Sequence, residues 1–214
     1  MIRKTIPAAV VVLTLLSVCT VGWAQEVWRV NEFTASYERF LYEVVSWDEV
    51  FDEDLLEDVI QETVFYEQWE LAAGDEEMEV TMGYRYWLPL DYVKQDMTFL
   101  GAAWDSPSIW KEAEGMEEYK SLSLVAEDLE LEVGNTMQLL DGSRLSIVGE
   151  ETVAGLKGYL VRMFIRETDE DGNTVETVTS EWVIAPEIAW PLAVTLYEGG
   201  EVSYRKTLVE HERR

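Results

Sequence analysis

The stretch that decides the fold is residues 144–185, which read RLSIVGEETVAGLKGYLVRMFIRETDEDGNTVETVTSEWVIA. β-Branched and aromatic residues fill three segments of this stretch, and turn sequences separate them. The first turn begins at the Ala-Gly pair 154–155, and the Asp-Gly-Asn sequence at 171–173 is typical of a hairpin loop. Two further strand patterns flank the Gly-Gly pair 199–200. Together these signals predict an antiparallel β-meander with strands at residues 144–153, 158–168, 175–185, 192–198 and 201–210.

The first half of the chain also has strand patterns. Apolar and other residues alternate in it, most clearly over residues 78–88. Apolar residues at every second position of this segment predict a strand with one apolar face and one wet face. Weaker patterns predict strands at residues 31–45, 62–72 and 92–100. The acidic patch at residues 48–58 interrupts them, and we expect it to form a short helix or an excursion between strands.

One segment has helical character. Ser106 and Pro107 can open a helix that runs to Tyr119, with the proline in its first turn. Residues 122–140 fit a helix and a strand equally, and Gly134 costs a helix about 1 kcal/mol. The sequence therefore predicts a mainly β (α+β) domain with few helices.

Residues 1–24 have the three parts of a secretory signal peptide. Two basic residues open the segment, residues 6–18 are largely apolar, and Gly22 and Ala24 take the −3 and −1 positions of a cleavage site. The apolar run is shorter than the roughly 20 residues that span a bilayer. We expect residues 25–214 to form a single domain that is periplasmic or secreted, and a retained membrane anchor is the alternative.

The chain has one cysteine, Cys19, which lies inside this leader. If the residues around it acted as a lipobox, Cys19 would be lipidated and the protein would be an outer-membrane lipoprotein. That motif normally has a small residue before the cysteine, whereas this chain has Val18. We therefore expect ordinary cleavage after Ala24. The mature chain would then have no disulfide, no thiolate nucleophile and no cysteine-based metal site.

The chain is strongly acidic, with a net charge of −27. Loss of the two basic leader residues leaves 14 basic residues against 43 acidic ones, a net charge of −29. Such a surface repels nucleic acid and anionic lipid surfaces, so we expect no nucleic-acid partner. The acids are scattered and tryptophan is abundant, which favours a solvated surface on a folded domain over disorder. A cationic partner or a saline habitat is the alternative explanation.

The residues that most catalytic and metal sites use are scarce. His211 is the only histidine, and its place near the end of the chain predicts a surface residue and argues against a Ser-His-Asp triad or a histidine metal centre. The chain also lacks a phosphate-binding glycine loop. We expect no enzyme activity, no metal and no cofactor. A carboxylate hydrolase remains as an alternative, with Glu67 and Glu70 near Trp69 as the acids to nominate, although solvated strand-face acids are the simpler interpretation.

The remaining signal is the apolar face of two strands. A curved sheet that does not fill its own interior becomes a ligand cavity, and unbranched methionine adapts to an irregular ligand. Which of the two strand faces points inward depends on register, because a slip of one residue reverses it. The candidate cavity-lining residues are Met78, Val80, Met82, Tyr84 and Tyr86 on one strand, and Tyr159, Val161, Met163 and Ile165 on another.

The end of the chain resembles the outer-membrane lipoprotein-sorting proteins of the LolA-like superfamily. The resemblance covers residues 146–210 and begins with a Gly-Glu-Glu-Thr-Val-Ala-Gly strand and hairpin at 149–155. Tyr159 follows on the next strand, a later strand opens at Trp182, and a Pro-Leu pair at 191–192 leads into another. The acidic segment 48–58 and the tryptophan-rich segment 104–110 have no counterpart in the family pattern.

The resemblance implies a strongly curved antiparallel sheet that forms an unclosed half-barrel, with helices capping its concave side. Residues 106–119 would then form a lid. It also implies a monomeric extracytoplasmic carrier that holds the acyl chain of a lipid or lipoprotein and exchanges it with an envelope membrane protein. The alternative is an envelope sensor or interaction domain with the same fold and a filled core, since a fold does not determine a function.

Overall fold

A computed structural model gives the structure, and it describes Trp28, residues 33–52 and 55–85, Trp87, Leu122, and residues 130–168 and 173–214. Nine strands form one antiparallel sheet over these residues. They are β1 (Tyr37–Asp52), β2 (Glu57–Ala73), β3 (Met78–Arg85), β4 (Thr136–Gln138), β5 (Arg144–Val153), β6 (Leu156–Thr168), β7 (Thr174–Ile184), β8 (Ala193–Glu198) and β9 (Glu201–Arg213). In this described part, no helix has the length and apolar character needed to cross a membrane.

The sheet is an open meander. Its strand order is β3-β2-β1-β9-β8-β7-β6-β5-β4, so the first and last described strands along the chain, β1 and β9, pair inside the sheet as its third and fourth strands. Within the described residues, β3 and β4 are its two edges. The predicted five-strand meander is confirmed as β5–β9. The leader, the predicted strand at 92–100 and the predicted helix at 106–119 lie outside the described residues.

Two hairpin loops follow from the turn residues. Gly199 and Gly200 have φ angles of 59° and 87°, and Ala154 and Gly155 have φ angles of 50° and 81°. Two successive positive φ values are those of a type I′ turn, whose twist matches that of antiparallel strands. The two-residue connection predicted at 199–200 is therefore confirmed, and β5 and β6 have the same kind of connection.

The expectation for the acidic patch is wrong. Instead of a helix or an excursion, its first residues continue β1 and its last residues begin β2, in a register that runs without a break from Tyr37↔Ala72 to Asp52↔Glu57. Most of the described acids of the patch are exposed at this end of the hairpin. Solvated carboxylates do not oppose strand pairing, so the patch is compatible with a long ribbon.

One face of the sheet carries most of the core, and we call it the inner face. It is defined by the buried side chains of Phe40, Val44, Phe65, Val161 and Trp182. These residues belong to one hydrophobic cluster that also includes residues outside the strands: Trp28, Leu122, Leu131, Ile188 and Leu192. The indole nitrogen of Trp28 donates to the Ile188 carbonyl at 2.8 Å, which anchors the start of the described chain to this core.

Irregularities in the register bend the strands. Shifts occur in four pairings, at Leu41/Tyr42, Ile147/Gly149, Met163/Phe164 and Leu196/Tyr197. A bulge of this kind bends its strand and increases the local twist. One bulge lies in the β1–β9 seam itself and the other three lie between β9 and β5, so the bending acts on that side of the sheet, whereas the registers of β1–β2 and β2–β3 are continuous.

Candidate functional site

The candidate cavity-lining residues form two apolar stripes, one on β3 and one on β6. Both stripes lie on the same face of the sheet. On one side of the seam, Met82 pairs with Trp69, and Trp69 pairs with Phe40 of the inner face. On the other side, Val161 pairs with the inner-face residue Trp182. Directly paired residues of neighbouring strands project to the same side. The other described candidates on β3 and β6 follow by the period of two, and Tyr86 lies outside the described residues.

The two stripes differ in their exposure. On the edge strand β3, the exposed fractions are 43% for Met78, 53% for Val80, 51% for Met82 and 38% for Tyr84. On β6, by contrast, Val161 is fully buried. Tyr159 and Met163 are half-buried and pack against the core, and Ile165 is half-buried as well. The inner face is therefore filled near β6 and open to solvent along β3.

A buried ion pair lies on this face, between β2 and β9. The side chain of Glu67 on β2 is 0% exposed, that of Lys206 on β9 is 12% exposed, and the two form a salt bridge. Trp69 donates its indole N–H to the same carboxylate. The ammonium group of Lys206 also lies 4.8 Å from the centre of the Tyr42 ring. The pair thus reaches across β1, which separates its two strands in the sheet.

The expectation that His211 is a surface residue is wrong. Its side chain is 11% exposed, and its Nε2 lies 2.9 Å from Oε1 of Glu38, which is 3% exposed. The imidazole ring also contacts the ring of Phe40, with 5.1 Å between the centroids. Pairing of β9 with β1 brings the end of the chain onto the inner face, which explains why a residue so close to the terminus is enclosed.

Hydroxyl groups are also buried on the inner face. Ser46 is fully buried and donates to Oδ2 of Asp48 at 3.0 Å. Ser180 is equally buried, and within the described part of the chain neither its hydroxyl nor the indole nitrogen of Trp182 has a hydrogen-bond partner. Ser180 and Trp182 pair with Met163 and Val161, so these unsatisfied groups lie among the candidate residues of β6.

A cleft of about 530 Å³ lies at one end of the sheet, which we call the end cleft. It is bounded by the β5–β6 hairpin, by the segment that follows β7 and by the end of β9. Of the nine candidates, Tyr159 lines it, together with Leu156, Lys157, Ile188, His211 and Arg213. Its volume falls within the roughly 300–1,000 Å³ that is usual for small-molecule sites.

The opposite, outer face has a smaller cavity of about 290 Å³, which Tyr197 and Glu181 line. Burial, followed by the hydrogen bond of 2.6 Å that Tyr197 donates to Glu181, raises the pKa of Tyr197 to about 12. Arg162 forms a salt bridge with the same carboxylate. The outer face therefore carries a paired polar network where the inner face carries apolar stripes.

The acids nominated for a hydrolase do not form a site together. Glu67 is on the inner face and Glu70 is three positions further along the same strand, so the two project to opposite sides of the sheet. Glu67 is also fully buried rather than solvated, which contradicts the expectation for it. Across the described ranges, no group of three or more His, Cys, Asp or Glu side chains is placed to hold a metal ion.

The sequence analysis did not predict that Lys206 and His211 lie on the inner face, although the pattern around Lys206 indicates it. Lys206 stands between Tyr204 and Leu208 in the alternation of the last strand, so period two already places a lysine on an apolar face. Glu67 stands in the same way between Phe65 and Trp69. His211 left no such signal, because a bulge in β1–β9 shifts the register next to it.

No family model matches this chain, and no curated protein matches it. Among solved structures, the chain is similar to the crystal structure of a DUF1329 family protein from Desulfovibrio piger. The two are 10% identical, with 86% of this chain and 87% of that chain covered and a TM-score of 0.20.

Proposed function

We propose that this protein is a non-enzymatic extracytoplasmic carrier that holds the acyl chain of a lipid or lipoprotein against the inner face of its sheet. The proposal includes export by the leader to the periplasm or the outside of the cell, and exchange of the cargo with an envelope membrane protein. The observation that carries it is the exposed apolar stripe on β3, which lies on the same face as the buried core.

Exposed apolar side chains along a strand are the feature that a carrier needs. Met78, Val80 and Met82 present flexible or branched hydrocarbon to solvent at the edge of the inner face. Contiguous apolar surface of this kind marks interaction sites on soluble proteins. Each methylene of an acyl chain that is buried there contributes about 0.8 kcal/mol, so a chain of ordinary length binds without any polar contact.

The open sheet supports the same proposal. The LolA-like resemblance of residues 146–210 implies an unclosed curved sheet with an acyl-binding interior, and the described strands form an open sheet with bulges in the β1–β9 seam and in the meander. Cargo would bind along the open β3 side, and the packed β6 side would provide a rigid wall.

The test is native mass spectrometry of the protein purified without detergent, followed by organic extraction and lipid analysis. We expect about one lipid per chain in the unmodified protein, and we expect Met82→Glu and Met163→Glu to lose it, because each places a carboxylate on the inner face. Thr81→Glu is the matched control, since it adds the same charge to β3 on the outer face and should retain the lipid.

A mass that corresponds to the protein alone, unchanged after incubation with a lipid extract, would overturn the proposal. The remaining interpretation would be an envelope interaction domain with a filled core. Retention of lipid by both methionine variants would show that lipid binds elsewhere and would overturn the assignment to the inner face.

A further inference from the structure

The lining of the end cleft combines apolar and charged side chains. Leu156, Tyr159 and Ile188 are apolar lining residues, and Ile188 belongs to the hydrophobic core. The charged lining residues are Lys157, which lies next to Leu156 on β6, Arg213, Glu150 and Glu187. A cleft that offers both apolar surface and cations suits an amphiphile, because each part of such a ligand meets its own kind of group.

The charge of the cleft departs from that of the chain. The whole protein carries 16 basic and 43 acidic residues, whereas the residues that line the cleft include two basic residues, two carboxylates and the single histidine. An anion that approaches this strongly negative molecule therefore meets less repulsion at the cleft than over the average surface. Of the acidic molecule's surface, the cleft is thus a place where a negatively charged group is opposed less than on average.

The cationic side chains of the cleft keep donors for a ligand. Arg213 donates from Nη1 to the Glu187 carbonyl at 3.0 Å and from Nη2 to Oγ1 of Thr34 at 2.6 Å. These contacts position the guanidinium group and use two of its five N–H donors. Lys157 is 71% exposed and contacts Oε2 of Glu150 at 2.5 Å, which leaves the rest of its ammonium group to solvent.

The cleft is continuous with the inner face. Tyr159 lines the cleft and packs against the core, and it pairs with the inner-face residue Ile184. His211 lines the cleft from β9 and contacts Phe40 of the inner face. A ligand whose charged end lies in the cleft can therefore extend its hydrocarbon directly onto the apolar face.

We propose that the end cleft binds the oxyanion of an anionic amphiphile, a phosphate or carboxylate headgroup, while the acyl chain of the same molecule lies on the inner face. This inference rests on the proposed function and narrows its cargo to charged lipids. Lys157 and Arg213 donate charge-assisted hydrogen bonds to the oxyanion, and Tyr159 contacts the first methylenes of the chain.

The test compares three probes by isothermal titration calorimetry: a lysophosphatidic acid with a 14-carbon chain, the monoacylglycerol with the same chain, and inorganic phosphate. We expect the charged lipid to bind about tenfold more tightly than the neutral one, a difference of about 1.4 kcal/mol. Lys157→Gln and Arg213→Gln should remove that advantage and leave the neutral lipid unaffected. Arg205→Gln is the matched control, because it removes a cation from β9 outside the end cleft.

The outcomes separate the two proposals. If neither lipid binds, the carrier function itself fails. If both lipids bind equally and the cleft variants change nothing, the carrier function stands and the headgroup site is overturned. If inorganic phosphate binds as tightly as the charged lipid, the cleft is a site for a free anion and the lipid assignment is overturned. Since Lys157 is exposed, its variant tests the site even if Arg213→Gln lowers the stability of the fold.

Discussion

Ser46 on β1 and Ser180 on β7 are both fully buried on the inner face, but their hydroxyl groups differ in their hydrogen-bond partners. Ser46 donates to the carboxylate of Asp48 at 3.0 Å. Ser180 has no hydrogen-bond partner within the part of the chain that the structure describes. A buried polar group that lacks a partner costs stability, whereas a hydrogen bond to a charged group contributes stability. The same residue type therefore has opposite effects at two places on one face.

We expect Ser46→Ala to lower the free energy of unfolding by about 1–3 kcal/mol, because it removes a buried hydrogen bond to a carboxylate. We expect Ser180→Ala to leave the free energy of unfolding unchanged or to raise it by up to about 1 kcal/mol, because it removes an unsatisfied group. Chemical denaturation of both variants measures the difference. A loss of similar size at both positions would contradict the assignment of partners.

At the scale of the strands, the pair formed by Glu67 and Lys206 connects β2 to β9 across β1. The carboxylate is fully buried and also accepts a hydrogen bond from Trp69. Loss of one partner of a buried pair leaves an uncompensated charge, whereas loss of both removes the charge and its cost together. The pair is therefore expected to behave as a unit.

We expect Lys206→Met to lower the free energy of unfolding by about 3–5 kcal/mol, because Glu67 stays buried without its cation. The double variant Glu67→Gln, Lys206→Met should recover most of that loss, and a double-mutant cycle from denaturation curves measures the coupling. Lys157→Met is the control for an exposed pair and should change stability little. Strictly additive effects of the two inner-face substitutions would contradict the coupling.

At the scale of the molecule, the β1–β9 seam joins the two halves of the sheet. β9 pairs with β8 on one side and with β1 on the other, and it buries Tyr204 and Leu208 on the inner face. Without β9, the ribbon of β1–β3 and the meander of β4–β8 would have no strand between them. The last strand therefore determines whether the chain forms one sheet or two separate parts.

We expect a chain that ends at Gly200 to lose its cooperative unfolding transition, as monitored by circular dichroism and tryptophan fluorescence. Removal of residues 1–24 is the control. It retains Trp28, which is buried and bonded to Ile188, and it should retain the transition. A cooperative transition in the chain that ends at Gly200 would show that the seam is dispensable.

Much of the described fold is predictable because its signals are local. Alternation identified the strands of the meander, and glycine-containing pairs identified the tight turns at 154–155 and 199–200. The acidic segment 48–58 was not predictable in this way, since carboxylates oppose a strand only where they are buried. Most described acids of that segment are exposed at the end of a ribbon. Ser46 and Asp48 lie two positions apart on β1, so their hydrogen bond is local, whereas the burial of both side chains is a tertiary feature.

The sequence by itself determined the acidic, mainly β character of the chain, the strands of the meander and the residues that share a face on each strand, because composition and period two need no long-range information. Only the tertiary structure decided that β1 pairs with β9, that both candidate stripes lie on one face, and that Glu38 meets His211, 173 positions away. A shift of one residue reverses the face of a strand, and bulges introduce such shifts. The inner face and the end cleft therefore depend on the pairing of strands that are distant in the sequence.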